Sequence, residues 1–208
     1  MKRITEILPE EDSLSALGRR KFLGLSGTAV AALMVSKLDS QAAYFGLLGK
    51  KPVDDIPHEW VQQRGADVLR YARHIEKLKL KNITPKMVIA PHFKVRGSIY
   101  NTLPPKSMWN NIGPTLKVID EMVETMGAPV RQLTSIYRSP RYNRSCGGKS
   151  RSLHMQNMAI DVQFSGVSPS HVARTARTLR SRGLFRGGIG RYSSFVHVDT
   201  RGTNVSWG

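Results

Sequence analysis

Three polar clusters in the C-terminal half of the chain concentrate side chains able to hold a cation or move a proton. The first is Tyr137-Arg138-Ser139-Pro140-Arg141-Tyr142-Asn143. The second is Ser152-Leu153-His154, with Asp161 following inside Ala159-Ile160-Asp161-Val162. The third is Phe195-Val196-His197-Val198-Asp199. Residues two apart in a strand share a face, so His197 and Asp199 point one way, Val196 and Val198 the other, and Asp161 opposes Ile160 and Val162. If these strands are neighbours, two carboxylates and two imidazoles meet on one wall of a sheet. Imidazole nitrogen and carboxylate oxygen suit Zn²⁺, and three protein ligands with one open position make a catalytic site. Such a metal acidifies water and polarises a carbonyl, as amide hydrolysis requires, and Arg138 would then stabilise the oxyanion. The alternative for His197 and Asp199 is a structural hydrogen-bonded pair. Asp161 is harder to set aside, because a carboxylate between Ile and Val needs a positive partner, either a metal or Arg138.

The elements that must position these clusters follow from periodicity. From Glu59 to about Leu80 the apolar residues Trp60, Val61, Val68, Leu69, Ala72, Ile75 and Leu78 predict one helix, which Gly65 weakens. A loop rich in Pro and Gly follows, with a short strand expected at Met87 to Ala90. Trp109, Ile112, Leu116, Ile119, Val123 and Met126 form one helical stripe, which Gly113-Pro114 must restart or kink and Gly127 must stop. Strands are expected at Val130 to Tyr137, Ala159 to Phe164 and Ser194 to Thr200, with a shorter one at Gly188 to Tyr192. Ser168-Pro169 opens a helix running to Arg182. Strands gathered behind helices predict a small α+β domain.

The chain has 208 residues, a charge of +17, 40% hydrophobic residues and a single cysteine, Cys146. One cysteine excludes a disulfide framework and any Cys-rich zinc module. The apolar fraction is too high for a disordered basic tail. Residues 1–42 differ from the rest: a polar segment, then Arg19-Arg20-Lys21-Phe22-Leu23, an apolar small-residue run from Leu23 to Val35, and Ser40-Gln41-Ala42 as a small-x-small cleavage site. This order resembles a twin-arginine export signal. It predicts a periplasmic or extracytoplasmic product delivered by the twin-arginine export machinery, with transient membrane association through the signal segment. Residues 43–90 read as a linker (Ala43 to Ile56) and an N-terminal helical region, and 91–208 as the domain bearing the site. Six of the 32 Lys and Arg and five of the 15 acids fall in residues 1–42, so an excess of +16 stays with the remainder. Arg174, Arg177, Arg180 and Arg182 give one helix a partly basic face. An acidic cell-wall polymer or anionic lipid fits that charge, whereas no nucleic-acid reader helix is seen.

Residues from about Pro91 to Trp207 resemble the zinc D-Ala-D-Ala carboxypeptidases and peptidoglycan endopeptidases, in particular the bacterial murein-endopeptidase-like branch. The matching stretches are Asn101-Thr102-Leu103-Pro104-Pro105, Ser135 to Asn143, Ser152-Leu153-His154 through Asp161, and Phe195 to Asp199. The resemblance implies a zinc site made by His154, Asp161 and His197, with Arg138 holding the substrate carbonyl or oxyanion and Tyr137 and Ser152 lining the substrate cleft. It further implies a small antiparallel sheet with helices packed on one side and a zinc groove on the sheet, as in Hedgehog and DD-peptidase-like domains. The substrate would be a peptidoglycan peptide, in a stem or a cross-link.

Two departures from the family pattern stand out. Asn157 occupies a position where many members have Gly. Ser194 and Phe195 occupy the positions where members carry an acidic base or a histidine ahead of the last ligand. Asp199 is the substitute for proton handling, or else the acceptor that fixes the His197 ring. A catalytically inactive peptidoglycan-binding protein that keeps the fold is the rival reading. His58, His74, His92 and His171 have no acidic residue spaced to join them as ligands, and Cys146 reads as a free loop thiol.

Overall fold

The computed structural model describes residues 55–208. The expected signal segment and most of the expected linker therefore lie outside the described residues. Helices α1 (His58–Arg64) and α2 (Asp67–Glu76) replace the single helix predicted from Glu59 to about Leu80. Gly65, at φ 72° and ψ −171°, turns the chain between them through backbone that an L-residue adopts only at a cost. Helix α3 (Pro85–Ile89) stands where a short strand was expected at Met87 to Ala90. The Thr84 hydroxyl accepts the Met87 N–H at 3.3 Å, and Pro85 takes the first helical position. This cap and preset φ outweigh the strand preference of Val88 and Ile89.

A 3₁₀ turn η1 (Ala90–Phe93) leads into a hairpin of β1 (Val95–Arg96) and β2 (Ile99–Tyr100). The 3₁₀ segment η2 (Lys106–Ile112) then passes into α4 (Gly113–Met126), so Gly113-Pro114 restarts the helix. Gly127, left-handed at φ 61°, ends it. The remaining elements are β3 (Val130–Ser135), α5 (Pro140–Ser145), η3 (Leu153–Gln156), β4 (Ala159–Phe164), α6 (Pro169–Ser181), β5 (Gly188–Arg191), β6 (Val196–Asp199) and β7 (Val205–Trp207). The expected strand at Val130 to Tyr137 ends early, at Ser135. Beyond it the Arg138 N–H bonds the His154 carbonyl instead of a neighbouring strand.

The fold is α+β, with the two-stranded antiparallel hairpin and a five-stranded sheet in the order β3-β4-β6-β5-β7. The sheet departs from the all-antiparallel expectation at one edge, where β7 runs parallel to β5. A parallel partner needs a return of the chain, and the loop after Asp199 supplies it. Ile160, Val162, Phe164, Val196, Val198 and Ile189 of the strands share one apolar core with Leu116 and Ile119 of α4 and Val172 and Ala176 of α6. Val68, Tyr71, Ile75, Val88 and Ile89 join it, so α2 and α3 pack into the same body as the sheet. Alternation along β4 and β6 then turns Asp161, His197 and Asp199 to the other face.

Asn157 follows η3 at φ 55° and ψ 41°, left-handed backbone that glycine adopts without a Cβ penalty. Here the buried Asn side chain repays the left-handed backbone by donating to the Met108 carbonyl at 2.9 Å and to the Tyr71 hydroxyl at 3.3 Å. Asn157→Ala adds the left-handed penalty and removes both bonds, a loss of about 2–3 kcal/mol in unfolding free energy. Asn157→Gly keeps the backbone and should lose about half as much. Denaturant unfolding of the two variants tests the ranking, and equal losses would contradict it.

Candidate metal centre

One cross-strand row carries the site. Ser135 on β3 faces Asp161 on β4, which faces His197 on β6, then Gly190 on β5, then Trp207 on β7. His154 comes from η3, whose carbonyls are held by the Arg138, Asn157 and Met158 N–H groups. The chain before α5 is pinned by Asn101, almost fully buried. Its amide donates to the Tyr137 carbonyl at 2.8 Å and its oxygen accepts the Ser139 N–H at 3.0 Å. Arg138 is thereby fixed between two anchored neighbours.

His154, Asp161 and His197, at 3%, 3% and 8% exposure, turn one ligand atom each toward a common point. Asp161 Oδ1 lies 3.1 Å from His154 Nε2 and 2.9 Å from His197 Nδ1, and the two nitrogens are 3.2 Å apart. The other ring nitrogens fix the tautomers. His154 Nδ1 sits 2.6 Å from the Ile136 carbonyl and His197 Nε2 3.0 Å from Asp199 Oδ2; both partners only accept, so these nitrogens carry the hydrogens. Three lone pairs therefore converge in a buried place, an arrangement that only a proton or a cation relieves. The sides of the triangle come within a few tenths of an ångström of the ~3.3 Å edge expected for a tetrahedron with zinc bonds of ~2.0–2.1 Å. Two imidazoles and a carboxylate are also the donor set of open zinc sites. The residues fit a divalent cation.

The titrations agree with this geometry. Burial alone would raise the Asp161 carboxyl, yet His154 and His197 hold it well below the usual range. His154 is lowered, because burial outweighs the pull of Asp161. Burial also acts to lower His197, but its bonds to Asp161 and Asp199 prevail and hold it above the ordinary imidazole value. The single proton of the metal-free cluster thus belongs on His197.

Asp199, completely buried, accepts from His197 Nε2, from the Gly188 N–H at 3.0 Å and from Arg201, whose Nε and Nη2 approach at 2.8 and 2.5 Å. Burial would raise its carboxyl, but Arg201 and then His197 keep it far below the usual range. These contacts fit the acceptor role weighed for Asp199 and leave the proton-handling role without a free lone pair. Bare strand surface makes room for the arrangement. A Cβ on Gly188 would collide with the Asp199 carboxylate, and one on Gly190 would fall inside the Trp207 ring. Trp207 lies against His197, with ring centres 5.3 Å apart, while Arg201 stands over its face.

Of the other residues singled out, Arg138 lies in the cluster. Its Nη2 meets Asp161 Oδ2 at 2.5 Å, and its Nε meets the Ser135 hydroxyl at 2.6 Å. Ser152 is half-buried at the start of η3 and its hydroxyl caps nothing. Tyr137 is buried beside His92, with burial pushing its hydroxyl up. His92 is itself buried, its pKa pushed down to about 4 by desolvation. His74 stacks on Tyr71, whereas His58 and His171 are exposed. Phe195 stacks on Tyr192 at the hairpin tip, and Cys146 is a half-buried free thiol. Sequence reasoning assigned nothing to Ser135, Asn101 or Arg201. Asn101 was visible as part of a matching stretch, but its two-sided grip on the chain around Arg138 spans residues far apart in sequence.

Because the His197 pKa is raised, the folded metal-free site keeps a proton above pH 6.5 that the unfolded chain has released. That contribution to stability is full below the ordinary value and is lost as pH rises through the folded one. A divalent cation such as zinc would have to displace the proton, so its affinity should climb with pH in that window, by up to about tenfold per unit, and then level. Calorimetric titration in buffers of different ionisation enthalpy should find about one proton released per zinc at the lower end; none released would contradict the assignment. Arg201→Ala should weaken zinc about 10- to 100-fold, with Arg201→Lys recovering part of the loss.

Comparison with curated proteins and with solved structures returned no match. A family model described as Peptidase M15 matches residues 91–199, just over half of the chain and a span that holds Arg138, His154, Asp161, His197 and Asp199. The matched span holds the buried His154, Asp161 and His197 cluster, which could hold a metal ion, and the chain belongs to the peptidase M15 family.

Proposed function

We propose that the protein is an exported, zinc-dependent peptidase that hydrolyses peptide bonds in peptidoglycan stems or cross-links. The observation that carries this reading is the convergence of His154 Nε2, Asp161 Oδ1 and His197 Nδ1 in a chain of the peptidase M15 family. These three residues would hold the zinc, which when bound supplies Lewis acidity to a peptide carbonyl and acidifies water. The Ile136 carbonyl and the Asp199 carboxylate keep both imidazoles in the ligating tautomer, so no ring must flip before binding. Arg138 shares its guanidinium between Asp161 and Ser135. With Asp161 committed to the cation, its donors serve the substrate carbonyl and the negative oxygen that develops there. Tyr137 and Ser152, which flank Arg138 and His154 in the chain, are assigned to the walls of the substrate cleft. The twin-arginine-like order of residues 1–42 supports export to the periplasm, and the basic excess of the remainder suits an anionic envelope.

One observation favours a second reading, a catalytically silent peptidoglycan-binding protein. Asp199 is engaged on all sides, and Ser194 and Phe195 stand where the resemblance places a base, so among the described residues no carboxylate of the cluster is free to take a proton.

Incubation of the zinc-loaded protein with purified muropeptides, read by mass spectrometry, tests the two. New products whose masses name the cleaved bond are expected, with His154→Ala losing both bound zinc and product while keeping its circular dichroism. Unchanged muropeptides with intact zinc loading and retained binding to sacculi would establish the silent reading.

A further inference from the structure

The row of Ser135, Asp161, His197, Gly190 and Trp207 occupies only part of its face of the sheet. Gln163 is two residues from Asp161, Phe195 two from His197 and Tyr192 two from Gly190, so alternation sets all three on that same face, one pleat nearer the β5-β6 hairpin tip. Gln132 pairs with Gln163 across β3 and β4. The face that carries the metal centre therefore continues into amides and aromatic rings. Tyr192 and Phe195 close the hairpin, the Tyr192 N–H bonding the Phe195 carbonyl at 3.0 Å, and their rings stack with centres 4.5 Å apart and planes 15° from parallel. The Tyr192 hydroxyl accepts the Trp207 Nε1–H at 3.1 Å, and Trp207 in turn lies against His197. Contact is thus unbroken from a residue of the cluster to the tip.

Tyr192 keeps 42% exposure, so the stack presents ring surface to a ligand. Beside it Gln163 is half-buried and donates one amide hydrogen to the Ser194 carbonyl at 2.8 Å, which holds its head group at the tip, while Gln132 is exposed. This combination discriminates between ligands. A pyranose shows weakly positive C–H groups on its flat face, which the negative face of an aromatic ring attracts, and hydroxyl or acetamido groups at its edge, which an amide meets with both a donor and an acceptor. An acyl chain laid on the same surface would leave the amides desolvated and unpaired. In the peptidase reading the cluster itself takes the peptide, so the surface beyond it falls to what that peptide is joined to.

We propose that Tyr192, Phe195, Trp207 and Gln163 form a saccharide subsite, which takes an N-acetylated pyranose of the glycan while the attached peptide lies at the His154, Asp161 and His197 cluster. The inference rests on the peptidase reading above and adds to it a preference for peptides that still carry their sugar.

Calorimetry on the full, zinc-loaded chain compares chitotetraose, a chain of linked N-acetylglucosamines, with cellotetraose, which has the same backbone without acetamido groups. Chitotetraose should bind about tenfold more tightly, the upper end of what one such contact supplies. Tyr192→Ala should weaken it by about the same factor, and Tyr192→Phe, which keeps the ring, should retain most of the affinity; circular dichroism checks that both variants fold. Gln163→Met should remove the preference for the acetamido sugar. Absence of chitotetraose binding to the unsubstituted protein, or equal binding of the two sugars, overturns the proposal whatever the variants do. So does tighter, Tyr192-dependent binding of phosphatidylglycerol vesicles that chitotetraose fails to displace. Mass spectrometry of cleavage separates this inference from the reading it rests on. A disaccharide-linked stem peptide should be cut with a KM about tenfold below that of the same peptide stripped of its sugar. Equal cleavage of the two overturns the subsite and leaves the peptidase; chitotetraose binding without cleavage of either supports the subsite and sinks the peptidase.

Discussion

A carboxylate placed between isoleucine and valine in a central strand is the constraint around which this domain is arranged. Asp161 is buried, ionised and surrounded by cationic or cation-seeking groups. A lone charge in that position would cost several kcal/mol, so its partners are conditions for folding as much as for function. Arg138 meets one oxygen and two imidazoles meet the other. Burial lowers one of those imidazoles and the carboxylates raise the other, which leaves the cluster with lone pairs enough to hold a metal ion.

Around this centre lies a layer whose work is orientation. The Ile136 carbonyl and the Asp199 carboxylate each hold the far side of one imidazole, and Arg201 and the Gly188 N–H hold Asp199 in turn. Glycine at 188 and 190 clears the sheet surface so that Asp199 and Trp207 can lie flat on it. The parallel edge strand β7 is part of the same device, because it brings Trp207 back over β5 next to His197. Preorganisation of this kind lowers the cost of binding a cation, since neither ring has to be reoriented at the moment of ligation.

Much of the centre was legible in the sequence because strand alternation is a strict rule. Ile-Asp-Val and Val-His-Val-Asp each name the residues that leave the core, and the register of β4 with β6 brings Asp161 opposite His197 as that alternation requires. The helical stripe and its Gly113-Pro114 restart were equally readable. What escaped depends on tertiary closure or on local chemistry that competes with periodicity. Helix α3 was masked by β-branched residues, although Thr84-Pro85 is a helix start. The grip of Arg201 on Asp199 depends on the turn after β6, and β7 is a short, exposed edge strand with no apolar alternation to announce it. The double role open to Asp199 could be narrowed only once all of its partners were placed, for spacing shows which residues share a face but not how many donors have already reached an oxygen.

The claim on which the rest depends is that His154, Asp161 and His197 bind one metal ion through two imidazole nitrogens and a carboxylate oxygen. X-ray absorption at the zinc edge of the purified, zinc-loaded protein measures this directly. The expected spectrum shows one zinc per chain in a nitrogen and oxygen environment, with the outer-shell scattering of two imidazoles, and loses one imidazole in His197→Ala. A zinc environment with sulfur from Cys146, or one whose imidazole scattering is unaffected by substituting His154 or His197, would contradict it.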